Sequence, residues 1–308
     1  MNYPWPTSVV RLRQRTNCCG LCHIRCRTTF DSDHVKCTEA PAAGRTTPAK
    51  RSIFRSACLG ILILLVPLSG VAQTWTGSIS TQWNLAGNWS GGVPGAAAIA
   101  TFNANTANDP NLTAAASVGR LFFDTGSDEE IFTGANLTIA SISGLGIDNQ
   151  SGVTQTFNNT LVIANAQTWN TDNGNLVFAA VTHGATNLTL TGNGGFDFSG
   201  ILTNSGGNRT LTNDSTGTVN FSGGINLSNN NTGRTLTFTG SGDTLVSGII
   251  ANGGTTAGNL VKTGPGTLTL ANTNTYTGTT TVGTAGGASG GTLRLGAPGA
   301  ISTNTTTI

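Results

Sequence analysis

After Cys58 the chain has no cysteine, and after Met1 it has no methionine. The long remainder therefore contains no disulfide framework. Charge is scarce as well. Only 9% of the 308 residues are Asp, Glu, Lys or Arg, far below the roughly 25% of an ordinary soluble domain. Residues 1–73 hold ten of the fifteen Lys and Arg against Asp31, Asp33 and Glu39. Residues 74–308 hold Arg120, Arg209, Arg234, Lys262 and Arg294 against ten acids, a net charge of −5. That leaves no basic stripe for nucleic acid. The apolar run ACLGILILLVPL at 57–68 is about 12 residues, too short to span a bilayer, which takes ~20.

Gly, Thr and Asn are abundant instead. They are poor helix formers and suit strands and tight turns. The sequence is expected to be all-β.

The N-terminal part reads as an address. Lys50, Arg51 and Arg55 precede the apolar run, and SGVAQTW follows it. A basic region, an apolar region and a small-residue site define a signal peptide, here 50–72 with cleavage after Ala72. A buried core segment is the competing reading of the run. Residues 1–49 carry Cys18, Cys19, Cys22, Cys26 and Cys37 with His34. A zinc cluster is one reading of these, but the spacing is irregular and the segment precedes an export signal. An extended signal, or a true start at a later non-Met codon such as that of Val35, explains it better.

The body repeats. Short strands open at Leu137, Leu161, Leu188, Leu211, Leu236 and Leu260, in steps of about 24 residues. A second ladder aligns Ile201, Ile225 and Ile249, with Ser199-Gly200, Ser222-Gly223 and Ser247-Gly248 marking the same turn. Two or three alternating strands per period predict one coil of a right-handed parallel β-helix. Stacked coils, about seven of them, bury what one coil cannot. A β-sandwich is the alternative. The predicted boundaries are a cap region at 73–130 and β-helix repeats at 131–308, truncated at the C-terminus.

Trp75, Trp83 and Trp89 crowd the start of that body. They are expected to cover the open end of the helix; a sugar-stacking platform is the functional alternative. NDPN at 108–111 reads as a turn. Arg209 and Arg234 both precede TLT, so they are expected to stack one over the other, as a solvated pair or as a contact for an acidic glycan. Catalytic groups are sparse. Asp197 falls one period before Asn220 and two before Leu245, so no second acid faces it as a hydrolase requires. Asp172, Asp214 and Asp243 read as turn residues, Asp128, Glu129 and Glu130 as a solvated acidic loop, and His183 as a turn residue. Neither G-x-S-x-G nor a metal-binding His pair is present. No enzyme activity, cofactor or metal is expected.

The segment GNLVKTGPGTLTLANTNTYTGTTTV from residue 258, followed by GGTLRL, resembles the autotransporter-associated β-strand repeat. The matching residues are Gly258, Leu260, Lys262, Gly264, Gly266, Thr267, Leu268 and Leu270, then Asn274, Thr275, Tyr276, Gly278, Val282, Gly291, Thr292 and Leu293. The insert GTAGGAS at 283–289 departs from that pattern. The resemblance covers about forty residues. It implies an exported bacterial surface or secreted protein with a structural or adhesive passenger, glycans or other cell surfaces as partners, and a translocator barrel or other outer-membrane anchor downstream. A glycan-binding module and a polysaccharide lyase or hydrolase are the runner-up functions.

Overall fold

The computed structural model describes Phe30–Asp31, His34–Val35, and residues 71–184, 187–283, 290–304 and 306–307. The chain forms two units, Met1–Leu64 and Leu65–Ile308. In the first, Phe30–Asp31 pairs antiparallel with His34–Val35. The early cysteines, and residues 50–70 of the expected signal peptide, lie outside the described residues. So do residues 284–289 of the insert.

The second unit is a parallel β-solenoid of about nine turns with a spacing near 23 residues, more turns than the seven expected. Each full coil places short strands on three faces. The first face includes Gln167–Thr171 and Leu188–Gly192, the second Leu176 to Phe178 and Phe196–Asp197, the third Ala180 to His183 and Leu202–Asn204. The second and third faces are one sheet where strands are long, at Gln155–Ile163 and Leu176–His183, and fork where a turn separates them. Among the described residues the regular helical structure is a single 3₁₀ turn, Ala86–Asn88.

Alternation decides which side chains enter. In Gln167–Thr171 and Arg209–Asn213 every second residue is buried, as the two-residue period of a strand demands. Leu137, Leu161, Val181, Leu202, Ile225 and Ile250 stack in register up the third face. An aromatic column fills the interior. Phe157, Phe178, Phe198 and Phe221 follow one another at ring separations of 5.4, 5.0 and 4.3 Å.

The register corrects two sequence alignments. The third-face ladder runs through Leu202, Ile225 and Ile250; Ile201 and Ile249 are exposed. These coils are unequal in length, and the even spacing of the three isoleucines hides it. The Ser-Gly pairs beginning at Ser199, Ser222 and Ser247 keep step with the true ladder. A slip of one residue exchanges the faces of a strand, which is why Ile201 and Ile249 face out. Likewise Arg209 pairs with Leu236, and Leu211 with Phe238. The longer corner at 229–233 moves Arg234 out of register with Arg209.

The ladder also starts before residue 131. Val71–Trp75 pairs parallel with Ala98–Phe102, and that strand with Arg120–Phe123. Trp89–Ser90 folds back antiparallel onto Val71–Trp75 and closes this edge.

Buried polar side chains fasten the corners. Asn149 donates to the carbonyls of Val153 and Asn175 while its own oxygen accepts from Ser151 N. Asn213 repeats the pattern nearer the C-terminus, toward Asp243 O and Ser215 N. Lys262 points inward, paired with Phe238 and Val282. Its Nζ donates to Thr263 O, Gly264 O and Gly290 O, at 2.6, 2.9 and 3.3 Å. Burial lowers its pKa, and the three carbonyls compensate the ammonium. Asn274 accepts from Ile250 N below and donates to Ala300 O above, and the Tyr276 hydroxyl meets Thr280 Oγ1 at 2.6 Å. The polar residues of the repeat motif are thus fasteners within and between coils. Lys262→Met keeps the stem but strands three acceptors, and hydrogen bonds to a charged group contribute about 1.5–3 kcal/mol. A loss of about 2 kcal/mol is expected on that scale, read as faster amide exchange in Thr280–Val282.

Candidate functional site

Three expected site residues form the plug of the solenoid. Trp75, Trp83 and Trp89 are buried, the most accessible at 5%. Their rings meet at 4.6–6.5 Å, and Trp83 and Trp89 continue into Phe132 and Phe102. Trp89 Nε1 donates to Trp83 O and Trp75 Nε1 to Asn108 O. A sugar-stacking platform needs open ring faces, and these rings have none. Asn108 also donates to Gly77 O, so NDPN holds the plug as well as turning the chain.

Arg209 and Arg234 are buried too, which corrects their expected place on an outer face. Corner carbonyls take up the guanidinium donors. Arg209 bonds Gly184 O, Ser205 O and Asn208 O; Arg234 bonds Asn204 O and the side chain of Asn229. Burial, and then the charge of Arg234, lowers the pKa of Arg209. These arginines tie the corner between the third and first faces.

The acidic run is not a solvated loop throughout. Glu129 is exposed, but Glu130 is fully buried. The backbone N of Glu130 donates to Gln155 Oε1 and its Oε1 accepts from Thr106 Oγ1 at 3.1 Å, while its Oε2 has no hydrogen-bond partner among the described residues. Burial first, then the neighbouring Asp128, push its pKa up to about 9. His183 is a buried strand residue rather than a turn residue. Asp172 lies in a bend. Asp214 and Asp243 do serve turns, accepting from Ser241 N and Thr267 N.

An open trench lies at the corner between the first and second faces. One hollow of about 580 Å³ extends over Asn173, Asn193, Asp197, Thr216 and Asn220. A second, of about 310 Å³, continues it over Asp243, Thr267, Thr269 and Arg294. Both include Gly217 and Thr218. One wall is the outward row Val177, Asp197, Asn220, Leu245, Thr269 and Arg294, each in register with the next. At about 4.8 Å per coil the row is roughly 24 Å long.

Glycines let successive coils close up along the trench. A Cβ on Gly174 would lie 2.1 Å from Val153 O, on Gly194 1.9 Å from Gly174 O, and on Gly217 2.0 Å from Gly194 O. The coils approach too closely here for any side chain. The wall, by contrast, is held in place. Ser222 Oγ donates to Asp197 Oδ1 at 2.7 Å and Ser247 Oγ to Asn220 Oδ1 at 2.9 Å. Two of the three recurring Ser-Gly pairs therefore orient a polar side chain of the preceding coil, while Ser199 Oγ donates to Phe178 O. Asp197 has Val177 and Asn220 beside it in its row. Among the described residues no group of three or more His, Cys, Asp or Glu is placed to hold a metal ion.

Fold and corners together define a parallel β-solenoid repeat protein. Residues 260–287 match the family model of the passenger-associated-transport-repeat, on the segment that resembles the autotransporter-associated repeat. None of the curated proteins and none of the solved structures compared matches the chain. The repeat and the solenoid fit an autotransporter passenger-like repeat protein.

Proposed function

We propose that the chain is an exported bacterial surface or secreted protein, structural or adhesive in role, that performs no chemistry and meets glycans or other cell surfaces along its coils. The observation that carries this reading is the passenger-associated repeat at 260–287, whose described residues 260–283 pair into the solenoid. The basic and apolar segment at 50–72 supports export. The outward Thr and Asn rows support distributed contact in place of one catalytic centre.

The test is accessibility on intact cells. With an epitope inserted in the exposed loop at 253–257, added protease is expected to remove the epitope while a cytoplasmic marker survives, or the epitope is expected in the medium. An epitope protected until lysis overturns the reading.

A further inference from the structure

We infer that the trench along the first-to-second-face corner is a binding site for a neutral polysaccharide chain, laid parallel to the coil axis. This rests on the surface-protein reading and gives it a contact site.

Shape points to a polymer. The two hollows share Gly217 and Thr218, and the wall row continues over six strands. Chemistry points to hydroxyl groups. Asn173, Asn193 and Asn220 offer carboxamides, each both donor and acceptor, and Thr216, Thr218 and Thr267 add hydroxyls. Among the described residues the Asn220 amide nitrogen and Asp197 Oδ2 have no hydrogen-bond partner, while the serine bonds hold Oδ1 of each. Such pre-oriented groups lose little entropy on binding. Gly195 and Gly217, half-buried in the lining, leave backbone within reach of a sugar ring.

Charge selects against anionic polymers. Asp197 and Asp243 line the trench, and Arg294 is the lone cation among its described lining residues, at one end. Exposed Asp214 stands at the same corner. An acidic glycan or a nucleic acid would meet like charge along most of the length.

The experiment is affinity electrophoresis of the purified full chain through native gels containing galactomannan, arabinoxylan or mixed-linkage glucan, with polygalacturonate and heparin as anionic gels. Retardation by at least one neutral polymer is expected. Thr218→Trp and Asn193→Trp, both at exposed positions, fill the trench and are expected to weaken retardation at least tenfold with unchanged melting temperature. No retardation in any neutral gel, retardation in anionic gels alone, or retardation untouched by both substitutions overturns the assignment. Binding by a protein that stays inside the cell removes the surface reading and leaves the trench; export without binding does the reverse.

Discussion

Glu130→Gln is expected to stabilise the Trp-capped end of the solenoid by about 3 kcal/mol at pH 7 and to flatten its pH dependence. Glu130 is fully buried beneath the plug, with Asp128 and Asp109 as its charged neighbours and Thr106 as its hydrogen-bond donor. Its carboxyl is neutral in the folded protein up to about pH 9, against 4.5 for the free group. Below pH 4.5 both folded and unfolded chains carry the proton, and the site costs nothing. Between 4.5 and 9 only the folded chain carries it, so stability falls as pH rises, by about 1.36 kcal/mol per pH unit. Over the full window the loss is about 6 kcal/mol. Glutamine keeps the shape and an acceptor for Thr106, has no charge to bury, and removes the slope. Because coils of a repeat protein unfold separately, the measurement is tryptophan fluorescence of denaturant unfolding at pH 5, 7 and 9, in a Trp5→Phe, Trp169→Phe background. A Glu130→Gln variant with the wild-type slope, or one less stable than wild type at pH 8, contradicts this account.

Gly194→Ala is expected to cost on the order of 3–4 kcal/mol, although it adds one methyl at a corner. The added Cβ would sit 1.9 Å from Gly174 O and 2.9 Å from Thr171 Cβ. Neither neighbour is the end of a flexible side chain, so the backbone must move, and overpacking of this kind costs roughly 1–3 kcal/mol before bonds are lost. The bond from Gly194 N to Thr171 O, 2.9 Å long, goes with it. Gly217→Ala repeats the geometry one coil later and is expected to behave alike. Gly95→Ala is the control: nothing lies within 4 Å of its Cβ, and an effect within about 0.5 kcal/mol is expected. Equal melting temperatures for the Gly194→Ala and Gly95→Ala variants would show that the coils do not approach this closely.

Much of the architecture was legible because a solenoid repeats its chemistry. Leu260, Leu268, Leu270 and Val282 announced themselves as core by alternation; the three leucines are buried and Val282 is half-buried. The Asp197–Asn220–Leu245 row was readable from the period alone and is in register. What the period could not convey was the inward polar set. Lys262, Arg209, Arg234, Asn149 and Glu130 are residue types that normally remain in water. Each finds a partner in a neighbouring coil, in Gly290, Gly184, Asn204, Asn175 and Thr106 respectively. The one usable signal was in the repeat motif itself, where Lys262 occupies a position that alternation assigns to the interior, two residues after Leu260.

The sequence by itself determined that the chain is all-β, that its strands recur with a period of one coil, and that its Leu and Phe positions supply the core. Those follow from strand alternation and from the need of each coil to bury its apolar side against the next. Only the tertiary structure decided the register, the burial of Trp75, Trp83 and Trp89 as a plug in place of a sugar-stacking platform, and the trench along the glycine row. Corner length sets register, and corner length varies from coil to coil. Beside the trench the carbonyls of adjacent coils leave no room for a Cβ, a contact between residues of successive coils that no local pattern records.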